Sequence, residues 1–396
     1  MEFKYVILGN GTAGHNAAFA IRSRDKEGSL VMVSDEPYRS YHRPQLTKAL
    51  LSDMRIDQIA VKPESWYEEN GITQILGFTA VKIDPEKKEV ELNDGRSLHY
   101  EKLIYALGSE CFVPPIPGRE AEGVVAVRRF HDAQKVAHFL SDTKQAVVIG
   151  GGVLGLEAAW ELRQAGAEVT VLEVAPVLMG RQLDAEAGEL LKKICGEQGV
   201  SVETGVQVEK IFCGEDGKRV GGVKLADGRE MPAQLVIISS GIRANIVLAK
   251  DAGIRTDRAV IVNEKMETSV PDIYACGDCA EFRGVNYALV MQAMGEGKVA
   301  GAQAAGDNSA VYELKEPALT FRGMNTSLFA AGDNGKHEEK NYRVFDASDK
   351  EHGQYRRYYF TDDKLCGVIL IGDTSRMMKL TKLLEAGAGY DETVEA

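Results

Sequence analysis

The sequence predicts an α/β fold followed by a smaller α+β unit, on three observations. The stretch YVILGNGTAGHNAAFAIRSRD, with SLVMVSDE after it, reads as strand, glycine turn, helix and strand. AVVIGGGVLGLEAAWELRQAGAEVTVLEV repeats that order further along the chain. From Tyr312 onward the alternation gives way to short strand-like runs (ALTFRG, SLFAAGD, YRVFD, QYRRYYFTDD, KLCGVILIGD) before a final helix, SRMMKLTKLLEAG.

A chain of 396 residues is too long for one ordinary core, which sets an expectation of two to three domains. Its hydrophobic (44%) and charged (27%) fractions are those of a water-soluble globular protein. A net charge of −12 argues against nucleic acid, whose phosphates require a basic face. The six cysteines (111, 195, 213, 276, 279, 366) are scattered without disulfide or zinc spacing, so a reducing, cytoplasmic location is expected. The apolar start, Phe3 to Ile21, is interrupted by GNGTAG and His15-Asn16 and lacks the basic flank of a signal peptide. No other window is long and apolar enough to span a bilayer.

The first strand turns on Gly9, Gly11 and Gly14 into a helix opened by Thr12 and Ala13. The next strand ends in Asp35-Glu36, with Asp35 21 residues (35 − 14) past the last glycine. Each part has a task. The glycines admit a pyrophosphate and let the helix pack on the strand, the free helix N-terminus faces the phosphates, and the acid accepts from ribose hydroxyls. In the second copy the glycines are Gly150, Gly152 and Gly155, the helix opens with Val153 and Leu154, and Glu173 follows 18 residues (173 − 155) later. One such pattern is a weak signal, whereas two complete ones imply two Rossmann-like domains and two dinucleotides. A hydride carrier beside a second redox cofactor is the natural pairing. Glu173 would repel a 2′-phosphate and no arginine follows until Arg181, so the second site is expected to prefer NADH to NADPH.

With those motifs in place, the chain resembles the two-dinucleotide FAD/NAD(P) flavoprotein reductases. The resemblance is closest to the branch of NADH:rubredoxin oxidoreductases and the flavoprotein part of assimilatory nitrite reductases, and more distant to apoptosis-inducing factor. GNGTAG…VSDEPYRSYHRPQLTK is similar to that branch's FAD fingerprint and its R-P-x-L-[ST]-K segment. IGGGVLGLEAA…VTVLE is similar to its NAD fingerprint, and TSVPDIYACGDCAE to its second flavin motif. The resemblance implies a glutathione-reductase-like architecture: an FAD-binding domain split over 1–112 and 241–311, an NAD-binding domain over 113–240 and a C-terminal cap over 312–396. It implies FAD and NADH as cofactors, with Asp278 on the ribityl chain, the backbone near Val81 against the adenine, Gly241 near the nicotinamide and Arg43 in the flavin site. It further implies that Lys48 lies beside flavin N5, paired with Glu157; taken alone, Lys48 would be an ordinary solvated lysine. For Arg128 two readings stand, a contact on the flavin side or a surface arginine in VRRFHD. Leu107 departs from the family's A-T-G threonine, and Ala244 from its A-x-G-x-x-P-N proline.

Cys276 and Cys279 have dithiol spacing, but they flank Gly277-Asp278 and are expected to be inert or merely to tune the flavin. The disulfide-reducing branches carry their thiols elsewhere, and HNAAFAIRSR and SYHRPQLTK hold none. The function implied is NADH-dependent reduction of FAD at N5, followed by one-electron delivery to an external carrier, rubredoxin foremost. The alternatives are electron donation within a nitrite-reductase-type system, disulfide reduction through Cys276 and Cys279, and a non-catalytic NADH-sensing flavoprotein. A monomer or homodimer is expected. Local patterns add three expectations: a meander over 72–100, a helix opened by P-Q-L-T (44–47), and a helix through ALVMQAMGEGKVAGAQAAG.

Overall fold

A computed structural model describes residues 1–48, 54–315 and 317–395. The chain divides into two compact units. One comprises Met1–Gln45, Arg55–Glu110 and Ile242–Lys315; the other comprises Leu46–Met54, Cys111–Gly241 and Glu316–Ala396.

In the first unit the strand Glu2–Leu8 lies between Leu30–Ser34 and Ser97–Tyr105, parallel to both, with Ile7 opposite Met32 on one side and Ile104 on the other. Its last four residues, Tyr5 to Leu8, are buried on both faces, which is why they read as a continuous apolar run. Strands Ala80–Asp84, Glu89–Leu92 and Ser97–Tyr105 form an antiparallel meander, within the range where one is expected. Ile72–Leu76 does not join that meander. It extends the parallel sheet beside Leu30–Ser34, with Ile75 facing Val33. Ile72 and Ile75 are buried, so tertiary pairing overrides the local pattern that placed this strand in the meander. The chain re-enters this unit with Ile273–Ala275, parallel to Ser97–Tyr105.

The helices Thr12–Arg22 and Val290–Ala304 cross at backbone contact. A Cβ on Gly297 would fall 2.3 Å from the Ala13 carbonyl oxygen, and one on Gly301 2.2 Å from that of Ala17. Only glycine allows this approach.

The second unit holds a five-stranded parallel sheet ordered Val200–Thr204, Glu168–Glu173, Gln145–Ile149, Leu235–Ile238, Val124–Val125. A three-stranded antiparallel sheet, Val208–Cys213, Val220–Leu225 and Glu230–Pro232, packs beside it. The PPIPG segment lies on that sheet, where Ile211 N–H donates to the Pro117 carbonyl at 2.8 Å. The C-terminal residues form a five-stranded antiparallel sheet, ordered Ala318–Gly323, Thr326–Gly332, Lys364–Ile371, Tyr355–Thr361, Arg343–Asp346, backed by Met377–Ala386. The core of this cap is Phe329, Tyr358, Phe360, Val368, Leu370 and Leu380.

The segment expected to open a helix at P-Q-L-T instead makes a 3-10 turn, Arg43–Gln45, and a further turn through Lys48. Leu46 and Thr47 are buried there, and whatever the expected helix does over 49–53 lies outside the described residues. Among the described residues, no helix is long and apolar enough to cross a membrane.

Candidate functional site

Each unit carries one glycine turn, and the two are built alike. In the first, Gly9 ends the strand at φ +98°, and a Cβ there would sit 2.1 Å from the Ala106 carbonyl oxygen. A Cβ on Gly14 would sit 2.0 Å from the carbonyl oxygen of Gly9 itself. Gly11 differs. Its φ of −68° suits any residue, and its nearest neighbour in that direction, Arg43 Nε, is 4.0 Å away. In the second turn Gly150 (φ +119°) meets Ser239 at 2.2 Å, Gly155 meets Gly150 at 2.0 Å, and Gly152 meets nothing within 4 Å. The outer glycines are therefore required by the chain's own backbone. The middle ones are required by no protein atom, which fits a turn that leaves room for a pyrophosphate. Gly11 and Gly152 are also the N-caps of Thr12–Arg22 and Val153–Gln164, and neither helix is capped by a side chain. Their first N–H groups are left for an anion, beside the positive end of the helix dipole.

In the first unit the loop around Asp278 lies on this turn. Gly277 has φ +81°, and a Cβ there would come within 2.7 Å of Ala13 Cβ. Ser109 Oγ donates to the Asp278 carboxylate at 2.9 Å, and Asn286 Nδ2 donates to its carbonyl at 2.8 Å. The strand-end acids separate in role. Asp35 is exposed, whereas Glu36 is buried and accepts from the Tyr41 hydroxyl at 2.9 Å and the Arg43 guanidinium at 2.7 Å. Val81 stands on Ala80–Asp84 with its side chain half exposed.

Both thiols beside Asp278 are wholly buried. Cys279 Sγ donates to the Tyr105 carbonyl at 3.4 Å and the Cys276 carbonyl at 3.3 Å. Burial lifts the Cys276 pKa well above its ordinary value and that of Cys279 to about 12. A reactive cysteine needs exposure and a nearby positive charge, and these have neither property in their surroundings.

Glu296 was not among the residues singled out by motif. It is fully buried on Val290–Ala304, where its Oε2 accepts from Gly277 N–H and its Oε1 from Gln292 Nε2, each at 2.7 Å. Burial pushes its pKa up to about 7. Ser109, Tyr41 and Asn286 were missed too. Each supports a motif residue through side-chain hydrogen bonds, and none is among the residues the motifs single out.

In the second unit Glu173 closes its strand and turns back onto the glycines. Its Oε2 accepts from Gly151 N–H at 2.6 Å and its Oε1 from Ala175 N–H at 2.7 Å. Val153 opens the helix and Leu154 is partly exposed on it. Gly241 has φ +99° with nothing within 4 Å of a would-be Cβ. Arg128 precedes the helix Phe130–Leu140, its N–H donating to the Asp132 carboxylate at 3.0 Å. Glu157, on the second turn of Val153–Gln164, is buried and accepts from Thr47 Oγ1 at 2.8 Å. Lys48 Nζ is 3.5 Å from its other oxygen, with the lysine side chain 48% exposed. The pairing expected from the motif is thus present, together with a hydroxyl that the motif did not indicate.

A sequence-family model described as pyridine nucleotide-disulphide oxidoreductase matches residues 3–304, and one described as rubredoxin NAD+ reductase C-terminal domain matches 317–388. The chain is 38% identical over 390 residues to the NAD(P)H nitrite reductase of Bacillus subtilis, covering 98% of this chain but 48%, about half, of that protein. It is 32% identical over 389 residues to the NADH-rubredoxin oxidoreductase of Clostridium acetobutylicum, covering 98% and 96% of the two chains. Among solved structures it is similar to a NAD-dependent persulfide reductase from A. fulgidus, with a TM-score of 0.92, 29% identity and coverage of 100% of this chain and 79% of that one.

Proposed function

The chain belongs to the pyridine nucleotide-disulphide oxidoreductase family, enzymes that use FAD and NADH, and from that premise we propose that it delivers electrons from NADH to a small one-electron carrier of the rubredoxin kind. The observation that carries this reading is the burial of Cys276 and Cys279 beside Asp278, which takes away a dithiol relay at that loop. The match of the C-terminal domain and the full-length similarity to an NADH-rubredoxin oxidoreductase support rubredoxin as the carrier. A second reading, donation within a nitrite-reductase-type system, is favoured by the 38% identity to the Bacillus subtilis protein.

Bound FAD supplies the conversion of a two-electron donor into one-electron steps. The chain supplies binding, orientation and charge. Gly9, Gly11 and Gly14, with the N–H groups opening at Thr12 and Ala13, hold the flavin nucleotide's pyrophosphate, and Glu36, steadied by Tyr41 and Arg43, takes its ribose. Asp278, oriented by Ser109, takes ribityl hydroxyls. Gly150, Gly152 and Gly155 hold the pyrophosphate of NADH, and Glu173 accepts from its adenine ribose while disfavouring a 2′-phosphate. Lys48, held by Glu157, offers a cation to charge that accumulates during flavin reduction.

The test is steady-state NADH oxidation by the purified protein against rubredoxin, ferredoxin, a nitrite reductase partner, a quinone, oxygen and coenzyme A disulfide. Rubredoxin is expected to give the highest kcat/KM, and the Cys276→Ser/Cys279→Ser double variant is expected to keep that activity largely unchanged. Preferred reduction of the disulfide, abolished in the double variant, would establish a thiol mechanism instead.

A further inference from the structure

The segment that leaves Glu173 does not simply connect a strand to the helix Ala185–Glu197. It packs on the glycine turn. Met179 N–H donates to the Gly151 carbonyl at 3.1 Å, and a Cβ on Gly151 would fall 2.4 Å from Leu178 Cδ2. Leu178 and Met179 are buried, and Met179 has φ +48°, a left-handed conformation uncommon outside glycine. Gly151 N–H, meanwhile, is held by Glu173. Residues 173–179 therefore form one wall of the dinucleotide turn.

The continuation of that wall, residues 180–184, is held by the C-terminal cap. Lys336 Nζ donates to the Gly180 carbonyl at 2.8 Å. Asn334 Nδ2 lies 3.3 Å from the Arg181 carbonyl and 3.4 Å from that of Leu183. The segment ends at Asp184, whose buried carboxylate caps the next helix through Ala187 N–H at 2.8 Å. The same carboxylate accepts from the Tyr355 hydroxyl at 2.9 and 2.8 Å and from the Tyr359 hydroxyl, with the Arg357 guanidinium 3.5 Å away. Arg357 also pairs with Glu186 and Asp346, and Lys350 with Glu186. Two tyrosines and a guanidinium on one buried carboxylate exceed what a helix cap needs. A cap that merely covered this unit would have no reason to place donors on consecutive groups of the one segment that seals the NADH turn.

We propose that the C-terminal cap is a working part of the NADH site, with Asp184 as the positioning residue through which Tyr355 and Tyr359 fix the wall formed by Glu173, Leu178 and Met179. The proposal rests on the reading that Gly150, Gly152, Gly155 and Glu173 hold NADH. The cap sets the position of the groups that hold the dinucleotide.

The holoprotein is assayed with ferricyanide as acceptor over a range of NADH concentrations, with FAD content and thermal unfolding measured alongside. Tyr355→Phe/Tyr359→Phe removes two hydroxyl donors and keeps both rings. Its KM for NADH is expected to rise about tenfold, the low end of what a hydroxyl–carboxylate hydrogen bond contributes because the effect on NADH acts through position, with kcat and FAD content near those of the wild type. Asp184→Asn, which keeps an acceptor for Ala187 N–H, is expected to raise KM less than Asp184→Ala. A lowered unfolding temperature with unchanged KM in the tyrosine variant would overturn the proposal, leaving the cap as a purely structural cover. Should the double variant fail to fold, Tyr355→Phe alone decides by the same comparison. Glu173→Ala separates the two levels: an unchanged KM there overturns the reading of the NADH site, whereas a raised KM there with unchanged cap variants overturns only the role of the cap.

Discussion

A carboxylate taken out of water is stable only when its partners replace that water, and Glu157 has two such partners, the Thr47 hydroxyl and the Lys48 ammonium. The lysine is half exposed, so the pair gains little as a surface ion pair and is better understood as a cation aimed by a buried anion. Lys48→Ala is expected to retain FAD and slow flavin bleaching by NADH in stopped-flow by about ten- to a hundredfold, less than the roughly hundred- to thousandfold lost with a buried preorganised donor because the lysine is half exposed. Glu157→Ala should act in the same direction and less strongly, with the double variant non-additive because the two residues act as one. A Lys48→Ala protein reduced at the wild-type rate would make Lys48 a surface lysine. Glu296 makes a different prediction. Its folded pKa, about 7, stands above its ordinary value of 4.5, so the folded state binds the extra proton between those values. Its contribution to stability is thus fully present below about pH 4.5 and is lost as pH rises through about 7, a cost of about 3 kcal/mol by the linkage of pKa to free energy. Glu296→Gln cannot ionise, and its unfolding free energy relative to wild type should climb across that window and level off above it. A pH-independent difference would mean that Glu296 does not titrate there. At this scale the glycines, Glu173, Asp278 and Lys48 were legible because each belongs to a spaced motif. Glu296 was not, because its role depends on Gly277, 19 residues away and met only once the helix is docked.

The elements were legible where period and punctuation agree. Both β–turn–α units, the helix Val290–Ala304 and the five strands of the cap fall where their patterns put them. The misreadings share a cause. Ile72–Leu76 has the apolar positions of either a meander strand or a parallel edge, and only its partner, Leu30–Ser34, decides between them. Arg43–Gln45 winds as 3-10 and 46–48 as a turn where P-Q-L-T suggested the opening of an α-helix, since the chain must bury Leu46 and present Thr47 to Glu157 within a few residues. Helix crossing brings its own expectation. Gly301→Ala places a methyl group 2.2 Å from a backbone oxygen that belongs to the first glycine-turn helix, so the helices must part. A loss of about 1–3 kcal/mol is expected, with weakened FAD retention, by chemical denaturation and flavin absorbance of the same samples. Gly196→Ala on Ala185–Glu197 is the control. Nothing lies within 4 Å of its would-be Cβ, and the change should stabilise by about 0.5–1 kcal/mol through helix propensity alone. Equal behaviour of the two variants would contradict the close crossing.

For the molecule as a whole, the sequence order conveyed the two glycine-turn folds and the extra C-terminal sheet, but not which part the C-terminal sheet serves. Asn334 and Arg181 are separated by 153 positions and Tyr355 and Asp184 by 171, and neither pair has a local pattern that announces it. Such contacts become visible only in three dimensions. The glycine turns carry one further implication, about descent. Gly9, Gly14, Gly150 and Gly155 are each pinned by a nearby carbonyl, so selection for a stable fold alone would preserve them in a lineage that had given up nucleotides altogether. Gly11 and Gly152 have open space in front of them and an unstrained backbone, and in such a lineage they would drift. The two middle glycines, one in each unit, are therefore the positions at which the loss of a cofactor would first leave a mark in the sequence.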